Sequence, residues 1–343
     1  SGAQAGPGQI RAMLVNGGNP AACVPDQKKI VKALESLELL VTIDPYMSAT
    51  AQLAHYVLPP VMMYEREDLP FSIGLTFPGL AMYPMNWSLL TEPVLKVPAG
   101  SDLVQDWYVF WSIAKRLGIQ ITYNTVPLDT RTAPTNDELM AIRLKDAPVS
   151  LERLRADRKQ HPSGYVYETE MATVQQAQAG ANDKFDVMPA DVAGEVKDLL
   201  ASVQVREAGP GPGFTHLLAT RRMQHVMNTT GLALPDTVGK AHHNPAFLSP
   251  DELKALNLKA GDRIEIASEH GKIEAVVQPD KTLRPGVVSI SHCWGGLPGK
   301  SGPGVNVNML ISCESDVQSI NAMPRMSAVP VNIKKVTQAA ASA

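Results

Sequence analysis

The 343-residue sequence predicts an α/β region over 1–118, a polar, partly helical connecting region over 119–212 and a β-rich barrel over 213–343. In the first region, short apolar runs alternate with helical patterns, which is typical of β-α-β units and a parallel sheet. The middle region is polar and interrupted by prolines. In the last region, many short β-rich runs recur between turns around one or two helices, which indicates a compact barrel.

The elements of the first region follow one another closely along the chain. Asp44-Pro45 ends the second strand, Pro59-Pro60 ends the third, and Gly118 stands where a helix C-terminal cap is expected. The apolar runs and helical spacings predict strand 9–18, helix 26–37, strand 39–43, helix 48–55, strand 55–60 and amphipathic helix 101–118.

The other two regions contain fewer clear signals. The glycine- and proline-rich stretch 207–213 is interpreted as a linker. Ser249, Pro250 and Glu252 have the residue types of an N-cap, a first helical position and a capping-box partner. Helices are further predicted over 136–144 and 189–202, and β-rich runs lie at 215–219, 263–267, 273–277, 287–291 and 329–333.

The composition excludes several classes of protein. The formal net charge is −3 and 44% of the residues are hydrophobic, so neither a basic nucleic-acid footprint nor wholesale disorder is indicated. No apolar run approaches the roughly 20 residues that span a bilayer. Cys23, Cys293 and Cys313 form no C-x-x-C pair, and three such distant thiols do not make a zinc or iron–sulfur site. We interpret them as small buried or surface thiols.

Five motifs occur in one order along the chain. They are Gly17-Gly18-Asn19-Pro20 after the first strand, the segment 41–65, the segment 220–229, the segment 244–271 and the segment 285–310. Together these motifs resemble the second half of molybdopterin oxidoreductases, the family of dimethyl sulfoxide reductase, formate dehydrogenase and periplasmic nitrate reductase. The resemblance covers about 9–118 and 213–335 and leaves the middle segment unplaced.

The resemblance implies a fold and a cofactor. Residues 9–118 would form the returning half of a discontinuous, Rossmann-like α/β domain, and residues 213–335 a double-psi β-barrel that binds molybdopterin guanine dinucleotide. The bis form of this cofactor, with Mo or W, would be shared with the other half of the enzyme. The sequence departs from the family pattern at three positions: His55 replaces the usual aspartate, Ala49 the usual glutamate and Ile311 a frequent threonine.

Some residues have the chemistry that a pyrophosphate and a pterin require. Gly17-Gly18 allows close approach of the backbone to a ligand. Arg221 or Arg222 can pair with phosphate through two parallel hydrogen bonds. Trp294 offers a flat face and an indole donor. The sequence leaves an alternative open for each of them: a tight turn without a ligand, surface charge, and a core tryptophan.

Other candidates would contact the ribose, guanine or pterin edges. Asp44 can accept from a ribose hydroxyl or a guanine amine, although an Asp-Pro turn is an equal alternative. Asn308 offers both a donor and an acceptor. The resemblance adds the remaining positions, and no catalytic residue or metal ligand is expected in this chain. The full set of expected cofactor-binding residues is Gly17, Gly18, Asn19, Asp44, Thr50, Thr220, Arg221, Arg222, His225, Asn228, Thr229, His292, Trp294 and Asn308.

The resemblance implies part of an enzyme. We expect the cofactor-binding C-terminal subunit or fragment of a molybdenum or tungsten oxidoreductase, inactive alone and acting on a small-molecule substrate. Two alternatives remain open: half of a non-redox family member such as a hydratase, and a non-catalytic cofactor-binding or assembly module. Neither nucleic acid nor a direct membrane span is expected. The compartment stays open, with the cytoplasm favoured over the periplasm.

The resemblance also implies partners. In this family the iron–sulfur cysteines and the metal-coordinating residue belong to the first half, so we expect a chain that carries that half and its iron–sulfur cluster. An iron–sulfur electron-transfer subunit is compatible with the family as a second partner. The chain opens with Ser-Gly-Ala, and a processed terminus, a cloning scar and a cut in a longer polypeptide all remain open. A cut or split chain is the interpretation we favour.

Overall fold

The computed structural model describes residues 6–69, 86–147, 149–167, 187–206, 209–234, 242–300, 302–318 and 320–336. Two compact units divide the chain. The first is formed by Ser1–Val57 together with Lys184–Ala343, and the second by Leu58–Asp183. Within the described residues, no helix is both long and apolar enough to cross a membrane.

The N-terminal part of the first unit is an α/β element. Strand β1 (Ala12–Asn16), helix α1 (Pro20–Cys23), helix α2 (Gln27–Glu35) and strand β2 (Leu39–Ile43) follow in that order, and strand β3 (Tyr56–Leu58) ends one residue beyond the last residue of this segment, Val57. The three strands form one sheet in the order β1-β2-β3, and β1 pairs with β2 in parallel, from Ala12 opposite Leu39 to Asn16 opposite Ile43. The predicted parallel pairing and the helix between these strands are confirmed.

The helix α2 covers this sheet because its sequence is amphipathic. Val31 and Leu34 are buried and belong to the same apolar cluster as Leu40 of β2. Asp26 caps the helix by accepting a hydrogen bond from the backbone N–H of Lys29.

The helix predicted over 48–55 is absent. The segment contains a single 3₁₀ turn at Ala51–Leu53, and the extended backbone of Ala54 ends it. Directly afterwards, the backbone N–H of His55 donates to Leu40 O at 2.8 Å, which leads the chain into the sheet. Nδ1 of His55 in turn accepts from the Leu40 N–H at 2.9 Å. A carboxylate could accept the same bond, so His55 supplies the acceptor function that an aspartate would have here.

The second unit is mixed and has its own apolar core. Its described elements are β4 (Asn86–Ser88), α3 (Asp106–Leu117), β5 (Thr122–Tyr123), β6 (Val126–Pro127), α4 (Asn136–Arg143), α5 (Leu151–Gln160) and β7 (Tyr165–Tyr167), with a 3₁₀ turn at Met63–Glu65. β4 pairs with β7 and β5 with β6, both antiparallel. Gly118 caps α3 in the left-handed conformation, as predicted. The sequence signals did not reveal α5 or the short strands.

The remainder of the first unit contains a helix and a closed barrel. Helix α6 (Ala190–Arg206) lies close to the predicted helix over 189–202. The barrel order is β10-β11-β9-β12-β8-β13. Its elements are β8 (His216–Arg221), β9 (Ala246–Leu248), α7 (Pro250–Ala255), β10 (Arg263–Ala267), β11 (Lys272–Pro279), β12 (Val287–Ser291) and β13 (Ser327–Lys335), with a 3₁₀ turn at Val307–Leu310.

The barrel combines parallel and antiparallel neighbours. β8 pairs with β12 and β9 with β11 in parallel, whereas β10–β11, β10–β13 and β8–β13 are antiparallel. Inward side chains such as Leu218, Ile264, Ile266, Val277 and Ile290 are fully buried. They form one continuous apolar cluster, which supplies the hydrophobic free energy of the barrel. The predicted β-rich barrel is therefore confirmed.

Substitution of Gly271 tests the packing at the β10–β11 hairpin. A methyl group at Gly271 would collide with the backbone carbonyl of Met309. We expect Gly271→Ala to lower the free energy of unfolding by about 1–3 kcal/mol, as overpacking does. The matched control is Gly194→Ala in α6, where a methyl group meets open space. Urea unfolding should show Gly194→Ala unchanged or stabilised by up to about 1 kcal/mol. Equal losses in both variants would contradict the expectation.

Candidate cofactor site

The loop after β1 leaves its backbone open at the carboxyl end of the strand. Gly17 is exposed with φ +58°, and a methyl group there would meet open space. Its N–H donates to Ile43 O at 2.9 Å, which fixes the turn against β2. Because L side chains rarely adopt this φ, glycine is the residue that keeps this backbone free for a ligand.

Asn19 and Thr50, two expected contact residues, hydrogen bond to each other instead of presenting free groups. Asn19 Oδ1 accepts from the Thr50 N–H at 3.0 Å and from Thr50 Oγ1 at 2.9 Å. Thr50 Oγ1 accepts from the Ala21 N–H at 3.0 Å, and the Thr50 side chain is fully buried. These bonds join the loop after β1 to the turn after β2, so both residues hold the two segments in position.

Asp44 organises its own turn. Its Oδ1 accepts from the Tyr46 N–H at 2.9 Å, and its Oδ2 accepts from Ser48 Oγ at 2.8 Å. The carboxylate is buried, with 9% of its surface exposed. The geometry is that of an Asx turn, which is the turn-forming alternative that the sequence left open.

The two consecutive arginines at the end of β8 have different environments. Arg221 donates to Asp280 Oδ2 at 2.8 Å, and its guanidinium lies 4.2 Å from the ring centroid of Phe247. Arg222 is exposed and donates to Asn228 Oδ1 at 3.0 Å. Within the described part of the chain, Arg222 has no carboxylate partner. Its charge is therefore available to an anionic ligand.

His292, which follows β12, completes a cluster around Arg222. Its Nδ1 donates to Arg221 O at 3.2 Å, and its Nε2 lies 3.4 Å from Asn228 Oδ1. Asn228 has φ +56°, a conformation that asparagine tolerates better than most residues. The structure thus brings Arg221, Arg222, Asn228 and His292 together. We call these four residues the arginine cluster.

The remaining barrel candidates lie around this cluster. Thr220 is half-buried in β8, and His225 is exposed with φ +70°. Thr229 is half-buried in the turn that follows β8. Gly18 is half-buried beside Gly17. No described hydrogen bond joins these two glycines to the arginine cluster.

Trp294 and Asn308 are both fully buried. Asn308 Nδ2 donates to Ala22 O at 2.8 Å, so its amide holds the end of α1. The indole of Trp294 packs beside Gly304, where an added methyl group would lie 3.0 Å from it. Trp294 Nε1 and Asn308 Oδ1 have no hydrogen-bond partner among the described residues. Both side chains are enclosed by protein, so in this structure neither presents a face to a ligand.

Two residues that support the site were not among the candidates. Gln27 Nε2 donates to Ala21 O and to Gly296 O, each at 2.9 Å, and thereby joins α2 to the loop after β12. Asn244 Nδ2 donates to Ser291 O at 2.8 Å and to Val305 O at 2.9 Å. The sequence signal for Asn244 was its place in the fourth motif; nothing in the sequence marked Gln27.

The pKa of the Asp280 carboxyl group is lowered to about 2. The largest cause is the hydroxyl of Thr282, which donates to Oδ1 at 2.6 Å, followed by the guanidinium of Arg221. Asp280 therefore stays ionised and keeps Arg221 paired over the physiological range. Of the two arginines, Arg222 is therefore the one without a carboxylate partner among the described residues.

Taken together, the described residues suit an anionic organic ligand better than a metal ion. They offer an exposed guanidinium, an amide, an imidazole and an open glycine turn. Among them, no group of three or more His, Cys, Asp or Glu side chains is arranged to hold a metal.

Comparisons with known proteins agree with this chemistry. The family model for molybdopterin oxidoreductase matches residues 2–73, and the model for the molydopterin dinucleotide binding domain matches residues 216–330. The α subunit of an F420-dependent formate dehydrogenase from Methanocaldococcus jannaschii is 24% identical over 81% of this chain and 38% of its own length. The probable oxidoreductase YyaE from Bacillus subtilis is 25% identical over 92% of this chain and 43% of its own length.

A solved structure shares the fold. Acetylene hydratase from Pelobacter acetylenicus aligns with a TM-score of 0.69 at 19% sequence identity, over 96% of this chain and 45% of the hydratase chain. The chain therefore spans less than half the length of these relatives.

Two buried threonines provide a matched test of the loop after β1. Thr50→Val removes a hydroxyl that makes two hydrogen bonds, whereas Thr42→Val removes a fully buried hydroxyl that has no hydrogen-bond partner among the described residues. We expect Thr50→Val to cost about 1–3 kcal/mol of unfolding free energy, and Thr42→Val to be neutral or stabilising. Urea unfolding measures both. A Thr42→Val loss as large as that of Thr50→Val would show that the Thr50 bonds contribute nothing specific.

The Arg221–Asp280 pair predicts a dependence of stability on acid. Because folding lowers the pKa of Asp280, its contribution to stability is present above about pH 4 and is lost as the pH falls through about 2. We expect the difference in unfolding free energy between wild type and Asp280→Asn to shrink over that window. Thr282→Val, which removes the largest cause of the shift, should move the loss to higher pH. A constant difference from pH 4 to 2 would contradict this assignment.

Proposed function

The chain belongs to the molybdopterin oxidoreductase family, and from that premise we propose that it is the cofactor-binding C-terminal subunit or fragment of a molybdenum or tungsten oxidoreductase. The observation that carries the proposal is Arg222, an exposed guanidinium without a carboxylate partner in the described residues, beside an amide and an imidazole. This arrangement lies within the segment that matches the dinucleotide-binding model.

We further propose fold assignments for the two parts of the first unit. The parallel β1–β2 pair with α2 between them is compatible with the returning half of a Rossmann-like domain. A closed six-stranded barrel with two parallel pairs is compatible with a double-psi barrel. The domain boundaries that the sequence predicts at residues 118 and 213 stay a prediction.

The proposed ligand is molybdopterin guanine dinucleotide. Arg222 would neutralise its pyrophosphate, and the Asn228 amide would donate to a phosphate oxygen. Nε2 of His292 would accept from a ribose hydroxyl, and the backbone at Gly17-Gly18 would allow close approach. When bound, the cofactor supplies a metal that changes oxidation state. The residues of this chain supply charge neutralisation, orientation and exclusion of water from the buried side of the loops.

The chain is proposed to act together with a partner chain or segment. The relatives are more than twice as long, and the formate dehydrogenase relative is an α subunit by name. β1 lies at the edge of its sheet, and Leu14 in it is 37% exposed. An exposed apolar edge strand is a surface that another chain can cover. The metal-coordinating residue, an iron–sulfur cluster and most of the substrate funnel would come from that partner.

Native mass spectrometry of the protein purified from its own source, with elemental analysis for Mo, W and Fe, tests the proposal. A stable complex with a larger chain that contains Mo or W and iron supports it. A monomer without metal and pterin would leave only a non-catalytic module. Turnover without any electron acceptor would favour a hydratase-type activity, as the name of the solved neighbour describes for that protein.

Binding of guanosine diphosphate tests the role of Arg222. We expect Arg222→Gln to weaken binding by about tenfold to hundredfold, because it removes a charge-assisted hydrogen bond to phosphate. Isothermal titration calorimetry gives the Kd. The matched control is Arg284→Gln, which removes the same charge from an exposed arginine that precedes β12, whereas His292 follows that strand. An equal loss of affinity in both variants would indicate a general charge effect and contradict the assignment.

A further inference from the structure

The second unit contains a cavity of its own, with a volume of about 400 Å³. Residues of α3, of the β5–β6 hairpin with its flanks, of α4 and of the segment 66–69 line it. Sites for small organic molecules in proteins have volumes of roughly 300–1,000 Å³. The cavity is therefore large enough for a small ligand.

Aromatic residues make up 5% of the chain, yet four of them line this cavity: Trp107, Phe110, Trp111 and Tyr123. Trp111 is buried, and its indole N–H donates to Asp129 O at 2.8 Å. Phe110 and Tyr123 are each 37% exposed. A ligand that covers their rings removes apolar surface from water, and flat aromatic surfaces pack well against another ring. The lining therefore favours an aromatic ligand.

One end of the cavity contains charges that largely neutralise one another. Arg66 donates to Asp106 Oδ1 and to Asp68 Oδ2, each at 3.2 Å. One guanidinium and two carboxylates leave one negative charge, so this end disfavours an anion. Asn136, the first residue of α4, donates to Glu67 O at 3.0 Å, which places this group of charges beside the start of α4.

Arg143, the last residue of α4, also lines the cavity and is half-buried. The two acidic residues of α4 have other partners: Asp137 pairs with Arg155, and Glu138 accepts from the N–H of Thr135 at 2.7 Å. Within the described ranges, no carboxylate pairs with Arg143. Because a partly buried cation without a partner is costly, an anionic group of a ligand would be stabilised beside it.

The two charged ends of the cavity are separated along α4. Asn124 donates to Ile142 O at 3.0 Å, so its neighbour Tyr123 lies beside the end of the helix that carries Arg143. Asn136 and Arg143 are the first and last residues of α4, and the helical rise of about 1.5 Å per residue places them roughly 10 Å apart. An anionic ligand is therefore accepted in one orientation, with its negative group toward Arg143.

We propose that this cavity binds an aromatic carboxylate. Its ring lies against Trp107 and Phe110, and its carboxylate accepts two hydrogen bonds from the guanidinium of Arg143. The hydroxyl of Tyr123 is a further donor at the same end. All of these residues belong to the second unit, whereas the arginine cluster belongs to the first. The proposal therefore does not depend on binding of the proposed cofactor, and either one can fail without the other.

Photochemical labelling of the full chain, in the complex in which it is purified, tests where such a ligand binds. The photoreactive ligand is 4-benzoylbenzoate, an aromatic carboxylate. Trypsin releases the residues around the cavity in the peptides 97–115, 117–131 and 132–143. We expect the label on these peptides. If none of the three carries it, the cavity is filled by another segment or covered by a partner, and the proposal is overturned.

Isothermal titration calorimetry with the same ligand tests the role of Arg143. We expect Arg143→Gln to weaken binding by about tenfold to hundredfold, because it removes a charge-assisted hydrogen bond. The neutral analogue 4-benzoylbenzamide should bind to wild type and to Arg143→Gln with equal Kd. The matched control is Arg116→Gln, which removes an exposed arginine from the last turn of α3, outside the cavity. An equal loss in both variants, or no loss in Arg143→Gln, would contradict the assignment.

A second pair of variants tests the aromatic lining. Phe110 and Ile113 both lie in α3 and are both 37% exposed, but only Phe110 lines the cavity. We expect Phe110→Ala to weaken binding of the carboxylate and of the amide alike, by roughly threefold to tenfold. Ile113→Ala should leave both Kd values unchanged. Equal effects of the two substitutions would show that the rings of the ligand do not lie in this cavity.

Discussion

The loops that carry the candidate site depend on one constraint: the backbone carbonyls that they bury must each find a donor outside a regular helix or strand. Side-chain amides supply these donors. Asn308 donates to the carbonyl of Ala22, and Gln27 donates to those of Ala21 and Gly296. Asn244 donates to the carbonyls of Ser291 and Val305. Amides suit this role because they remain uncharged donors and acceptors when buried, so no charge loses its hydration.

This constraint explains why so many expected contact residues are buried. Asn19, Thr50 and Asn308 satisfy neighbouring backbone or side-chain groups, and their side chains have few hydrogen-bonding groups left. The groups that remain available are those above this layer: the Arg222 guanidinium, His292 and the open backbone at Gly17. A buried, hydrogen-bonded layer with a few accessible polar groups above it is an arrangement that can bind an anionic ligand without reorganising the fold.

The sequence predicted the barrel and the parallel β1–β2 pair because apolar runs and turn residues are local signals. It did not predict that the 48–55 segment holds only a 3₁₀ turn, since Asn19 binds its Thr50 N–H from another loop. Nor could it separate Arg221 from Arg222, because the pairing of Arg221 depends on Asp280, which lies in a different loop. The burial of Trp294 could not be predicted for a similar reason, because its indole packs beside Gly304, which lies ten residues later in the chain.

Neutral amides make buried contacts in the joint between the α/β element and the barrel: Asn308 donates to the carbonyl of Ala22, and Gln27 donates to that of Gly296. Because a side-chain amide does not titrate in the physiological range, these hydrogen bonds do not depend on the pH of the solution. Gly296 lies four residues after His292, so the bond from Gln27 holds the loop that carries one member of the arginine cluster. This contact adds to the support that the loop receives from the barrel core built from Leu218, Ile264 and Ile290.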